Sequence, residues 1–248
     1  MQRQLVAGNS TLVAVILHVV ETHQTLDARV IRARKSWQSI YGATIQPAHV
    51  SRWERSARQI GDPRDLPMLR DVLEQGLKQA RESDVLMLTN TDITLATGVD
   101  MAVKQAVQAQ GAVCSFRLNT DRPMGRFESP RRLSKDFQPD YGRDLFAFSK
   151  EWLEAHWKLI PDCFLGEVEW DLILTILIRR SIGIEVRTTA EFHKHTDAEL
   201  PLGFVLHEKH EPVWKTPMGL NSPSKSWNWA VARAWYRENN AAHLNTLG

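Results

Sequence analysis

The chain predicts an α/β fold, a mixed and mostly parallel sheet flanked by helices on both faces, and three observations carry that expectation. Apolar, β-branched runs alternate with segments of helical periodicity about four times through the first half. Glycines and turn residues punctuate the changeovers, as at Gly42, at Gly61-Asp62-Pro63 and at Gly111. The run Val85 to Leu88 is apolar throughout, which marks a buried strand rather than a half-exposed one.

Taken in order, Leu12 to Val20 is rich in β-branched residues and reads as a central strand. Asp27 to Ser39 is helical, with Val30, Ile31, Ala33 and Trp37 able to face inward, and Ala43 to Val50 makes a second strand. Leu66 to Glu82 spaces Leu69, Val72, Leu73, Leu77 and Ala80 along one helical face. After the strand at 85–88, Gly98 to Gln110 forms a helix stopped by Gly111, and Ala112 to Leu118 a further strand. The rhythm then breaks. Residues 119–143 hold three prolines and two glycines and read as a long loop, a feature usually functional or disordered in a compact domain. Asp144 to Phe148 resumes apolar character and Lys150 to His156 is helical. Pro161 to Gly166 connects to an acidic segment, then comes an apolar helix from Leu172 to Ile182 closed by Gly183, and a short strand from Ile184 to Arg187. From Phe192 onward no periodicity holds until Trp227 to Asn239, so residues 191–248 read as a C-terminal extension on a domain spanning 1–190.

Composition narrows the function classes. The chain has 248 residues, 43% of them apolar, enough for a sizeable core. A net charge of +2 favours neither nucleic acid nor an anionic membrane surface. The two cysteines, Cys114 and Cys163, form no metal-binding or redox pair, which suits a reduced, cytoplasmic protein. No apolar run is long enough to span a bilayer, and no leader pattern opens the chain.

Chemistry concentrates in two places. Asp84-Val-Leu-Met-Leu-Thr-Asn-Thr-Asp92 is an apolar run ending on oxygen ligands, so Asn90 and Asp92 project from the carboxyl end of a strand. Ligands of open α/β sheets bind there, and such a tip suits a hard divalent cation that carries phosphates. The same tripeptide also makes good turn or capping chemistry. Gly166-Glu-Val-Glu-Trp-Asp171 places three carboxylates, Glu167, Glu169 and Asp171, at the start of a helix. One of them could take a proton from an acceptor hydroxyl, although acidic residues also complement a helix start.

The pairing of the two resembles the GT-A glycosyltransferases over roughly Leu12 to Arg187. Asn90-Thr-Asp92 stands where that family carries its Asp-x-Asp metal motif. Glu169-Trp-Asp171-Leu172, with Arg179 and Gly183 downstream, looks like its acidic catalytic segment. The resemblance implies a GT-A (Rossmann-like) sheet and metal-dependent transfer of a sugar from a nucleotide-diphosphate donor, UDP-linked, to a hydroxyl. It implies Mn²⁺ or Mg²⁺ held by Asp92 and Asn90, and Glu169, Asp171 or, third, Glu167 as base. Such enzymes often complete the metal site with a C-terminal histidine, for which His207 and His210 are preferred over His193 and His195. Donor contacts are expected just after the first strand, at Glu21, Thr22 and Arg29. The first acidic position of the metal motif is an asparagine here, a departure from the family pattern.

The acceptor is not legible; a glycan, a small molecule or a modified nucleic acid would each fit. Arg117, Arg122, Arg126, Arg131, Arg132 and Lys135 make the 119–143 region and its border basic, and Trp214, Trp227, Trp229 and Trp235 give the tail aromatic faces. Two rival readings stay open: the same chemistry on a hydroxylated DNA base, and a non-catalytic nucleotide- or glycan-binding module. A zinc hydrolase is disfavoured because His207-Glu208 is followed by His210, one residue too early for the helical pair. A nucleotidyltransferase would need a glycine-rich loop that Ala7-Gly8-Asn9 does not supply.

Overall fold

A computed structural model describes residues 15–18, 28–41, 53–82, 84–90, 92–121, 127–128, 138–209 and 220–239. Its strands are β1 (Val15–His18), β2 (Val85–Thr89), β3 (Ile93–Thr97), β4 (Ala112–Thr120), β5 (Phe127–Glu128), β6 (Gln138–Ser149) and β7 (Val205–Glu208). The α-helices are α1 (Ala28–Tyr41), α2 (Leu69–Gln79), α3 (Val99–Gln110), α4 (Lys150–His156), α5 (Trp170–Ser181), α6 (Thr189–His193) and α7 (Pro223–Glu238). The strands form a sheet in the order β1-β2-β6-β4-β7-β3-β5.

Strand β2 explains the architecture in miniature. Leu86 and Leu88 face a core shared with α2, α4, α5 and α7, which includes Leu69, Phe146, Trp170, Ile173 and Trp235. Val85 and Met87 face the opposite core, built on α1 and α3 with Trp37, Val103 and Val107. A strand covered on both sides has no solvent face to make polar, so its sequence is an uninterrupted apolar run. The mixed α/β class with helices on both faces is thus what the chain adopts.

The expected predominance of parallel pairing is corrected. β1–β2, β4–β7 and β3–β5 are parallel, but β2–β6, β4–β6 and β3–β7 are antiparallel. The cause lies in the stretch expected as a long loop. β4 runs on to Thr120 and the chain is back in the sheet by Gln138, with β6 antiparallel to both β2 and β4. Antiparallel neighbours need no long crossover, whereas parallel ones do.

Other boundaries move for local reasons. Ile93–Thr97 is a strand that the sequence pattern does not mark, in the gap between the Asn90-Thr-Asp92 tip and the helix expected from Gly98. α2 starts at Leu69 because Pro67 and Met68 pair as bridges with Ser56 and Phe164. Ile184–Arg187 is not a strand: Val186 is buried, but the segment runs unpaired into the Thr188 cap of α6. The stretch after 190 is woven into the fold, since β7 sits between β4 and β3. α7 begins at Pro223 behind a Ser222 cap and packs Ala232, Trp235 and Tyr236 against the core of α5. The expected strand at 43–50 lies outside the described residues. Among those described, no helix is long and apolar enough to cross a membrane.

Candidate active site at the carboxyl edge of the sheet

The strand registers decide which residues can meet. β1 runs parallel to β2, with His18 beside Leu88; β4 and β7 point the same way, with Asn119 beside His207. β3 starts at that edge, Ile93 lying opposite His207. Asn90, Asp92, Asn119 and His207 therefore gather at one edge, where the carboxyl ends of four strands lie.

β6 brings a carboxylate hub to the same edge. Asp144 sits against the end of β2, where Thr89 Oγ1 donates to its carbonyl at 2.7 Å and the Asn90 backbone N–H does so at 3.3 Å. The Asn90 side-chain amide donates to Asp144 Oδ1 at 2.7 Å. Arg117 reaches Asp144 Oδ2 at 2.7 Å and Asp140 Oδ2 at 3.1 Å. This fork depends on a break in register: Phe116 pairs with Arg143 but Arg117 with Asp140, so residues 141–142 bulge out. Bulges re-aim side chains, and here the bulge turns Asp140 and Asp144 onto one guanidinium. A larger residue at Gly142 would crowd the fork, because a Cβ at that position would stand 3.0 Å from Arg117 Cζ.

Asp92 and His207, expected from distant parts of the sequence to share one metal site, are brought together. His207 Nε2 lies 3.5 Å from Asp92 Oδ2, and its Nδ1 lies 3.1 Å from Asn119 Oδ1. Asn119 Nδ2 in turn donates to Asp140 Oδ2 at 2.5 Å. An imidazole nitrogen and a carboxylate oxygen at this separation suit a borderline divalent cation, Mn²⁺ better than Mg²⁺. Among the described residues no group of three or more such ligands forms, so a cation here would take its remaining ligands from substrate oxygens and water. The amide nitrogen of Asn90 is committed to Asp144, so the residue supports the hub through one end of its side chain, while the atom expected to ligate is the amide oxygen at the other end.

The three carboxylates of the acidic segment part company. Glu167 is buried and turned toward α7, where Arg64, Ser222 Oγ at 3.0 Å and Ser224 Oγ at 3.1 Å donate to Oε1. The same Arg64 binds Asp62; burial pulls Asp62 upward, but bonds from Arg64 and Ser224 outweigh it and hold the carboxyl at about 2. Glu169 is also buried against α7 and accepts from the Tyr236 hydroxyl at 3.2 Å, burial raising its affinity for a proton. Its φ of 82° is the one positive value at a non-glycine among the described residues, at the N-cap of α5. Left-handed backbone at a glutamate is uncommon and costs about 1–3 kcal/mol. Asp171, the second residue of α5, is close enough to the hub to feel the charge of Asp144. Burial first, then the nearby Asp144 carboxylate and more weakly Glu169, push its carboxyl up to about 7. Of the three, Asp171 is the one drawn into the cluster at the edge.

Glu21, Thr22, His210 and the cations Arg122, Arg126, Arg131, Arg132 and Lys135 lie outside the described residues, as does the side chain of Arg29 on α1. His195 is engaged by the Leu200 carbonyl at 2.9 Å and stacked on Phe116. Sequence reasoning missed Asn119, Asp140 and Asp144 as members of the site. For Asp144 a signal exists: it opens an apolar run as Asp92 closes one. No protein-family model matches the chain, and no curated protein matches its sequence.

Proposed function

We propose that the chain is a metal-dependent glycosyltransferase of GT-A type, moving a sugar from a nucleotide-diphosphate donor to an acceptor hydroxyl. The observation that carries this reading is the convergence of Asp92 and His207 to 3.5 Å at the carboxyl edge of the sheet, with Asp171 drawn to the Asp144 hub at that edge. A divalent cation held by Asp92 and His207 would neutralise charge on the departing diphosphate. Asp171 serves as the base. The acceptor oxygen bonds to the anomeric carbon, the bond from that carbon to the diphosphate oxygen breaks, and the hydroxyl proton passes to Asp171. A carboxylate poised near 7 accepts a proton at neutral pH and releases it again after the step. Arg117 and Asn90 hold Asp144 in place beside it.

Release of nucleoside diphosphate from a panel of nucleotide sugars, with Mn²⁺, Mg²⁺ or EDTA, tests the proposal. Metal-dependent hydrolysis of one donor, reduced at least ~100-fold in Asp92→Ala, is the expected result. No hydrolysis together with no donor binding by calorimetry would sink it.

A further inference from the structure

Of the three tryptophans on α7, two are engaged by the fold. Trp235 is buried, and its indole N–H donates to the Leu159 carbonyl at 2.6 Å. Trp227 packs its ring against Phe164 and donates to the Asp162 carbonyl at 2.8 Å. Trp229 keeps 38% of its surface open, with the Lys225 ammonium 5.4 Å from the centre of its ring on one face. At helical spacing the exposed residues Ser226, Trp229, Ala230, Arg233 and Arg237 line up as one stripe along α7. Ser226 and Ala230 are small, so the stripe presents an indole and two guanidiniums, each about a helical turn from the next. Neither arginine is in a salt bridge with another described residue; Arg233 acts at longer range, drawing Glu169 downward against the burial that raises it. Glu238, the single acid of α7, lies about a quarter turn round the helix from Arg237. Arg237 in the last turn also complements the helix end, but neither Arg233, a turn earlier, nor the open indole serves that purpose.

We propose that this stripe of α7 binds single-stranded nucleic acid, one base stacking on Trp229 while neighbouring phosphates pair with Arg233 and Arg237. A guanidinium fork matches phosphate oxygens in pairs, and an indole face accepts any base by stacking. A sugar ring would also lie on an indole, but through C–H contacts with an electron-rich face. The ammonium on the far side draws density away from that face and so favours an electron-rich base over a sugar. Duplex DNA keeps its base faces stacked inside, so the surface selects single strands. One stripe on a chain of net charge +2 gives modest affinity, with few phosphates held. The inference goes beyond the transferase reading and does not depend on it.

Fluorescence anisotropy of a labelled oligothymidylate of ~10 nucleotides, titrated with the purified full chain over a range of salt, tests this without any turnover. The wild type should bind, with log K falling against log salt at a slope of about −1.4, roughly 0.7 for each phosphate held. Trp229→Ala should weaken binding ~5–150-fold and leave the slope alone, while Trp229→Phe, which keeps a ring, recovers most of the loss. Arg233→Gln and Arg237→Gln should each make the slope shallower by about 0.7. All four side chains replaced lie on the exposed stripe or conserve its ring, and circular dichroism confirms that each variant is folded. A wild type that binds no oligothymidylate at low salt would overturn the proposal. So would folded variants that bind like the wild type, a duplex of equal length bound as tightly, or a polyuronate that binds more tightly than the oligonucleotide. If the stripe behaves as expected while every nucleotide sugar is left intact, the nucleic-acid surface stands and the transferase reading falls.

Discussion

Glu199 and Asp171 lie under the same sheet but meet opposite company. Glu199 is wedged between two guanidiniums: Arg179 Nη2 stands 2.7 Å from its Oε1 and Arg143 Nη2 at 3.5 Å, while Thr196 donates to Oε2 through N–H at 2.8 Å and its hydroxyl at 2.5 Å. Arg143 is further sandwiched between the rings of Phe116 and Phe192, each 4.0 Å from Cζ, and burial lowers its guanidinium to about 10. Asp171 also feels Arg143, but burial and the carboxylates of Asp144 and, more weakly, Glu169 prevail and push it toward holding a proton. The first cluster sets two guanidiniums on one carboxylate, with the carbonyls of Glu191, Phe192 and Lys194 accepting from them, and fixes α5 against the segment after α6. The second sets carboxylates in excess, Asp140, Asp144 and Asp171 around the single guanidinium of Arg117, at a sheet edge, which is where a site that must exchange protons or bind cations is expected.

The comparison breaks most visibly at Glu199. Glu199→Ala strands two buried guanidiniums without an anion, and such a loss typically costs about 3–5 kcal/mol. A denaturation midpoint shifted by that amount at neutral pH is the expected result; a loss below ~1 kcal/mol would mean that the cluster is not what anchors α5. Glu167→Gln is the next test, because it neutralises one buried anion but keeps its shape and an acceptor oxygen for Ser222 and Ser224. The bond from Arg64 then loses its charged partner, worth about 1.5–3 kcal/mol. Donor hydrolysis by the folded variant should stay within a few-fold of wild type, since Glu167 faces α7 rather than the edge; a collapse of activity in stable protein would move the base assignment to Glu167.

How much of this could be read from residues alone follows from what each element depends on. β2 and α5 were legible because their apolar patterns are local and long: Val85 to Leu88 with its polar tip, and Leu172 to Ile182 closed by Gly183. β3 was not, since Ile93-Thr-Leu-Ala-Thr97 is short and lies between a turn motif and a glycine. β7 was read as tail because four residues flanked by Pro201, Gly203 and Pro212 carry no usable period, although one of them is His207. The expectation could nominate Asp92 and His207 by type; their meeting depends on β3–β7 pairing. The Arg117 hub was out of reach, as it exists only in the bulged register of β4 against β6. Arg117 reads in the sequence as the basic border of a loop and in the fold is a clamp between two aspartates.

Asp171→Asn offers the most direct measurement, with stability followed from pH 4 to pH 8 alongside donor turnover. In the unfolded chain this carboxyl titrates near ~4, but in the fold it is held at about 7. Between those values the native state binds more protons than the unfolded one, so the contribution of Asp171 is favourable at low pH and is lost as pH rises through 7. Asp62 runs the other way, its contribution present above ~4 and lost as pH falls toward 2. At about 1.4 kcal/mol per pH unit, removing the Asp171 charge should stabilise the protein at pH 8 by on the order of 2 kcal/mol, with ~4 kcal/mol as the ceiling. The same variant should lose at least ~100-fold in transfer. A more stable, inactive protein is the result this account predicts; an Asp171→Asn variant that is destabilised at pH 8, or that turns over donor like the wild type, would contradict it.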